Sequence, residues 1–238
     1  MASTFFGLHI GSSALSSFQV ATNTTANNIA NVKTTGYTRQ EATLQAKDAI
    51  NVTARYGSVG TGVTVTSIKQ QRDLYYDNKY WENNSCYGRY EQKLYYMEQI
   101  QNYFKDNGSS VKGFSSVFSQ MFSDLDTLRS KPSDKTVRNQ FISSAQSLCT
   151  YFNQMSDNLS KLQDDCNEEI RNNVDKINSI SEKISLLNKE INQIETGTGV
   201  EAGSLRDERA NLIDSLSKIV NVSVSYTHLR AHETSAHL

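Results

Sequence analysis

The sequence predicts a mainly α protein, an elongated helical bundle or coiled coil with an amino-terminal helix and a small β-hairpin or extended region. Three observations carry this prediction. The 238 residues contain one proline, Pro132, so little interrupts helix growth. From Val137 to Ile194 apolar residues recur at steps of three and four with no Gly or Pro between them. Between Tyr37 and Lys69 the pattern switches to alternating β-branched and polar residues around Gly57, Gly60 and Gly62, as in hairpins. Enrichment in Ser, Asn and Gln thins the apolar content to 37%, which suits slender, partner-dependent packing better than a thick core.

The first element is a helix whose seam runs through Leu8, Leu15, Phe18, Thr22, Thr25, Ile29 and Val32. With Thr at two seam positions it buries too little to stand alone, so its partner is expected from elsewhere. Lys33 to Gly36 stops it, Gly36 being free to take positive φ. After the hairpin region, helical spacing resumes near Asp73. Tyr80, Tyr87, Tyr90, Leu94, Met97 and Phe104 share a stripe expected to pack in the core, and Asn107-Gly108 ends it. Phe114, Val117, Phe118, Met121, Phe122, Leu125 and Leu128 mark an amphipathic helix of about four turns, which stops at Ser130 to Asp134.

The long repeat then takes Val137, Phe141, Ala145, Leu148, Phe152, Met155, Leu159, Leu162, Cys166, Ile170, Val174, Ile177, Ile180, Ile184, Leu187, Ile191 and Ile194 inward. At about 1.5 Å per residue such a helix spans roughly 90 Å. Beyond the Gly-rich turn Gly197 to Gly203, Ser204 with Asp207 resembles a capping box opening a short helix, with Leu205, Leu212, Leu216 and Ile219 inward. Residues 220–226, VNVSVSY, alternate as a closing strand.

Several functions are disfavoured. With 24 basic against 25 acidic residues the chain lacks the excess of positive charge that a phosphate backbone demands, so no nucleic-acid partner is expected. No run of about 18 apolar residues exists to cross a bilayer. The amino terminus has no basic residue before Lys33, which argues against a cleaved signal peptide. Cys86, Cys149 and Cys166 form no CxxC pair and read as buried small apolar groups rather than a disulfide or zinc framework.

Catalysis has little to rest on, and no catalytic residue, cofactor or metal is expected. His9 is the only histidine before the last eleven residues, and the loop Gly57 to Gly62 lacks the lysine of a phosphate cradle. The carboxylate pairs Asp164-Asp165 and Glu168-Glu169 fit a solvated helix face. His228, His232 and His237 are set aside as metal ligands. They lie in YTHLRAHETSAHL, which abandons the style of the preceding chain and looks like translated adapter sequence.

One stretch carries a resemblance. Residues 25–40, TANNIANVKTTGYTRQ, resemble the amino-terminal motif of flagellar rod, hook and hook-associated proteins, a helix ending in NNIANV followed by a Thr/Gly turn and an aromatic. Tyr37-Thr38-Arg39-Gln40 is similar to the hook-associated protein 1 family, whereas rod and hook proteins usually continue with Phe and Lys. Residues 60–85 and 204–225 are similar to the entry into, and the closure of, that family's helical bundle. The family continues into β-rich domains and a carboxy-terminal helix that pairs with the first one.

The resemblance implies four segments: an assembly helix and turn (1–36), an extended or hairpin linker (37–70), an elongated bundle with a closing strand (71–225) and an artefactual tail (226–238). It implies a structural flagellar subunit, exported unfolded by the type III apparatus with a chaperone's help, and located outside the cell between hook and filament. Its expected partners are copies of itself in a ring, the hook protein and a hook-associated protein on the filament side, with no membrane insertion. Leu8, Leu15, Phe18, Asn28, Ile29 and Asn31 are the candidates for packing between subunits, and Gly36, Tyr37 and Arg39 for the turn. Asn28 and Asn31 serve equally well as helix caps. A hook or distal-rod subunit and a non-flagellar coiled-coil interaction protein stand as alternatives.

Overall fold

The computed structural model describes residues 5–53, 57–105 and 113–225. In chain order the elements are α1 (Phe6–Ala30), β1 (Gln40–Ala46), β2 (Ile50–Thr53), β3 (Gly57–Val59), β4 (Val63–Gln70), α2 (Leu74–Tyr103), α3 (Phe114–Ser130), α4 (Lys135–Thr198) and α5 (Gly203–Ser217). The mainly α class, the amino-terminal helix and the small antiparallel β region are as expected. Two of the helices open on an aspartate. The Asp73 carboxylate accepts the Tyr75 N–H at 2.9 Å ahead of α2, and that of Asp134 accepts the Thr136 N–H at 2.8 Å ahead of α4. The chain divides into two compact units, Met1–Cys86 with Ile177–Leu238, and Tyr87–Lys176.

In the first unit β1 and β4 pair antiparallel, from Gln40 opposite Gln70 to Ala46 opposite Val63, with an irregularity between Thr43 and Leu44. β2 and β3 form a smaller antiparallel pair within their connection. Contrary to the expectation that α1 lacks a partner within this chain, it packs on the β1–β4 hairpin. The Ser17 hydroxyl donates to the Val63 carbonyl at 3.1 Å. Gly62, at φ +107°, comes so close that a Cβ there would overlap the Ser13 hydroxyl. The covered face runs through Ile10, Ser13, Ser17, Val20, Thr24 and Asn28, at the same three-four spacing as the apolar seam. The small side chains of Ser13 and Ser17 on this face admit the hairpin backbone, a property that hydrophobic periodicity does not register.

The core of this unit joins the start of α2, the end of α4 and α5 through Trp81, Ile180, Leu187, Ile191, Ala210, Ile213 and Leu216, all buried. The expected α4 seam holds here as far as Ile191, with Ile177 and Ile184 half-buried beside it, whereas Ile194, expected inward, is exposed. On α5 Leu216 is buried and Leu205 and Leu212 are half-buried, as is Ile219 just beyond the helix. The capping box does not form. Ala202 occupies the N-cap with no side-chain hydrogen bond, Ser204 lies inside the helix, and Asp207 is drawn into contacts described below. In place of the closing strand there is a single bridge residue, Ser223, and Tyr226 lies outside the described residues. Alternation favours extended backbone, but a strand also needs a ladder along its length.

In the second unit the α2 stripe is displaced from where periodicity puts it, while the α4 seam holds in part, with Val137, Phe141, Ala145, Leu148, Met155, Leu162 and Cys166 buried or half-buried. Tyr87, Tyr90, Leu94 and Met97 of α2, expected in the core, are each more than half exposed, as are Phe104 and, in the first unit, Tyr80. The covered α2 positions are Gly88, Gln92, Tyr96, Ile100 and Tyr103. Phe152, Leu159, Ile170 and Val174 of α4 are likewise exposed, while the covered stripe passes through Tyr151, Met155, Asn158, Leu162, Cys166 and Glu169.

A polar contact explains the shift. Both Gln92 and Tyr96 donate hydrogen bonds to the Glu169 carboxylate, so Glu169 is not on a solvated face. The phenol of Tyr96 titrates far above its usual range because its proton is held by Glu169, with burial adding to the effect. Of α3, Val117, Met121 and Leu128 are half-buried. Phe114 stacks on Phe118 with ring centroids 5.1 Å apart and tilts toward Phe152 of α4 at 6.0 Å. Cys86 and Cys149 are exposed and Cys166 half-buried, so the cysteines are not the buried groups expected. Met155 is the one buried apolar side chain among the described residues of this unit, and a core so thin leaves the neighbouring apolar stripes uncovered.

Candidate assembly interface

α1 presents opposite faces to different surroundings. Away from the hairpin, Leu8, Leu15, Phe18 and Ile29 are between 57% and 72% exposed, and Val32 extends the same seam past the helix end. The four apolar residues singled out for packing between subunits therefore lie on one face, with Thr22 and Thr25 between Phe18 and Ile29, and the described residues of the chain leave that face open. Two hydroxyls interrupt this stripe and are satisfied within the helix. Thr22 and Thr25 donate back to the carbonyls of Phe18 and Ala21 at 2.8 and 3.0 Å.

The other two candidates on α1 face the chain itself. Asn28 Oδ1 accepts the Tyr37 hydroxyl at 2.8 Å and the Gln40 N–H at 2.9 Å, while its Nδ2 donates to the Gln40 carbonyl at 2.7 Å. All of these bonds bind the end of α1 to the start of β1. Asn31 caps α1: its Nδ2 donates to the Asn27 carbonyl at 3.0 Å, and its Oδ1 accepts the Thr34 hydroxyl at 3.2 Å. Asn27 adds a donor to the Tyr37 hydroxyl at 3.2 Å. The asparagines that give the NNIAN motif its character are thus engaged within the chain.

The turn residues divide in the same way. Gly36 has φ +78°, and a Cβ there would overlap the side-chain amide of Asn211 on α5. Tyr37 is half-buried over Asn28, whereas the Arg39 side chain is exposed and only 4.0 Å from the Glu41 carboxylate. Sequence reasoning missed what holds this turn from the other side. Asp207 of α5 accepts the Gln70 Nε2–H at 2.8 Å and the Thr38 N–H at 3.3 Å, and Gln70 also donates to the Gly203 carbonyl at 2.9 Å. The signal was the polar stripe Asp207, Asn211, Asp214 on α5, which a surface reading assigns to water.

Further along α5 the indole N–H of Trp81 donates to Asp214 at 2.7 Å, and Asn84 Nδ2 donates to the Asp214 carbonyl and the Ser217 hydroxyl at 3.0 and 2.8 Å. Burial pushes the Asp214 carboxyl above its usual range, against the opposing pull of the Trp81 N–H and the Arg72 charge. At the α4–α5 joint Arg206 holds Glu195 through two hydrogen bonds of 2.6 and 2.8 Å. Burial would raise the Glu195 carboxyl, but Arg206, the Ala202 N–H and the Arg209 charge outweigh it and keep it low. Among the described residues no group of three or more His, Cys, Asp or Glu side chains is placed to hold a metal, and His228, His232 and His237 lie outside them. Among the same residues, no helix is long and apolar enough to cross a membrane.

A family model described as the helical domain of the flagellar hook-associated protein FlgK matches residues 97–233. The chain belongs to the FlgK family. A second model, the flagella basal body rod protein, matches residues 8–38, which take in most of α1 and the turn after it. Flagellar hook-associated protein 1 of Bacillus subtilis is 34% identical over 231 residues, 95% of this chain and 45% of that protein. The Salmonella typhimurium protein of the same name is 32% identical over 219 residues, 90% of this chain and 38% of that one. The chain therefore spans less than half the length of these relatives. A solved structure, that of the flagellar hook junction protein FlgK from Burkholderia pseudomallei, shares the fold with a TM-score of 0.56 at 22% identity, over 63% of this chain and 26% of that one. The resemblance read from the NNIANV motif thus leads to the right family.

Proposed function

We propose that this chain is part of a structural subunit of the bacterial flagellum, assembled between hook and filament, and that α1 is the helix through which copies pack. The observation that carries this reading is the open apolar stripe Leu8, Leu15, Phe18 and Ile29 on a helix whose opposite face is anchored. Burying one such side chain stabilises a contact by about 1.5–3 kcal/mol, and a ring of identical subunits repeats each contact. On this reading the neighbours are other copies, the hook protein and a second hook-associated protein. The subunit leaves the cytoplasm through the type III apparatus, aided by a chaperone and without a cleaved signal, and it performs no reaction and needs no cofactor.

The rod-protein match over α1 favours a rod or hook subunit as the second reading, since that helix is shared by both kinds of protein. The match of the FlgK helical domain over residues 97–233 supports the first. Replacing Leu15 and Phe18 by Ser at the chromosomal gene tests the proposal. The expected result is mutant protein in the medium and hooks that carry no filament by electron microscopy. Normal filaments would refute the assembly role of the stripe, and loss of the hooks themselves would favour the rod or hook reading.

A further inference from the structure

The turn that follows α1 is gripped from both sides, and only one side belongs to the recognised motif. Asn28 holds Tyr37 and Gln40 onto α1. From the opposite side Asp207, 8% exposed, holds the Thr38 N–H and the Gln70 side chain. Gln70 is also fixed by its own N–H, which donates to Glu201 at 3.3 Å. Gly36 lies so close to Asn211, one helical turn beyond Asp207, that no side chain fits between them. A helix more than 160 residues further along the chain thus sets the backbone path out of α1.

We propose that Asp207 is a positioning residue for assembly: by clamping the Thr38 amide and Gln70 it fixes the turn at residues 36–40, and with it the direction in which α1 presents its apolar stripe. A carboxylate suits this task because it offers an acceptor oxygen to each of two donors from different elements, and charge-assisted bonds are stronger than neutral ones. The inference rests on the assembly role proposed for α1. It adds that orientation of the stripe, and not its apolar character alone, is needed.

The test uses the full-length protein with Asp207→Ala, Asp207→Asn and Gln70→Ala, alongside the Leu15/Phe18 double Ser variant. Amide exchange is followed at Thr38 and Gln40, Trp81 emission, read in a background that keeps no other tryptophan, reports the rest of the unit, and filament-bearing hooks are counted by electron microscopy. In Asp207→Ala the Thr38 and Gln40 amides should exchange at least about tenfold faster, the factor expected when a charge-assisted hydrogen bond is lost. Trp81 emission should stay unchanged and filament-bearing hooks should fall by a similar factor. Asp207→Asn, whose amide oxygen still accepts from Gln70, should recover part of both. A loosened turn with normal filaments would overturn the inference while leaving the assembly role intact, provided the Leu15/Phe18 variant blocks growth. Normal filaments in that variant as well would remove the assembly role itself. Should Asp207→Ala shift Trp81 emission, Gln70→Ala decides: filaments lost with Trp81 unchanged supports the clamp, and filaments retained overturns it.

Discussion

Replacing Asp214 by Asn and by Ala should have opposite consequences, although both remove the same charge. Trp81 is 1% exposed, and its indole N–H donates to Asp214 at 2.7 Å. Desolvation raises the Asp214 carboxyl and the charge of Asp77 adds to it, while the indole bond and Arg72 oppose without overcoming it. A carboxyl whose folded pKa lies above its unfolded value contributes stability that is fully present below the unfolded value and is lost as pH rises through the folded one. At neutral pH the ionised group is therefore a cost. Asn keeps an oxygen for the indole and removes the charge, so Asp214→Asn should be more stable at neutral pH by up to about 1 kcal/mol. Asp214→Ala leaves a fully buried N–H without an acceptor and should cost about 1–3 kcal/mol.

Urea denaturation followed by Trp81 emission measures this. The chain has one tryptophan, so the signal reports the first unit alone and does not require both units to unfold together. The advantage of Asp214→Asn over the parent should close as pH falls through the raised pKa, where the parent carboxyl becomes neutral. Glu195 titrates in both proteins, so its contribution cancels in the difference. An Asn variant as unstable as the Ala variant, or an Asn-parent difference independent of pH, would refute the assignment of burial as the dominant influence on this carboxyl.

Gly36→Ala should destabilise the first unit by about 1–2 kcal/mol from its left-handed backbone alone, and by more because Asn211 must move; adding Asn211→Ala should recover only the second part in the same urea assay. Leu187→Ala, at a position 7% exposed, should lower stability by about 2–5 kcal/mol, read as an earlier Trp81-detected midpoint. Glu195→Gln should be less stable than the parent at neutral pH, because a lowered folded pKa gives stability that is present above the unfolded value and lost as pH falls through the folded one. The gap should narrow in acid, as denaturation at a series of pH values would show.

What was legible in the sequence followed from strong local rules. One proline and an unbroken three-four repeat mark α4 as a single helix of 64 residues, and the β-branched alternation around glycines marks the hairpins. The apolar stripe of α1 was legible because four large residues recur on one face. The partners of those elements were not. The covered face of α1 mixes Ser13, Ser17, Thr24 and Asn28 with Ile10 and Val20, and the inward stripes of α2 and α4 in the second unit include Gln92 and Glu169. Periodicity weights apolar side chains, so it assigned to the core Tyr80, Tyr87 and Tyr90 of α2 and, on α4, Phe152, Leu159, Ile170 and Val174, which are in fact exposed. Asp207 showed the same failure, since its distance in sequence from Thr38 and Gln70 leaves no local trace and the nearby Ser204 offered a plausible capping partner.

The two faces of α1 suit different physical tasks. Burial of apolar surface is strong and non-directional, so the stripe of Leu8, Leu15, Phe18 and Ile29 can supply adhesion but cannot choose an angle. Hydrogen bonds are weaker in net terms and depend on geometry, so Asn28 on one side of the turn and Asp207 on the other can fix an angle without adding stickiness. Had the inward face of α1 been the apolar one, the helix would be satisfied within its own chain and nothing would remain for a neighbour. A subunit that must join identical copies in one orientation needs adhesion outside and direction inside. On the proposed role, that need accounts for the polar residues of NNIAN turning toward the chain while the larger apolar ones turn away from it.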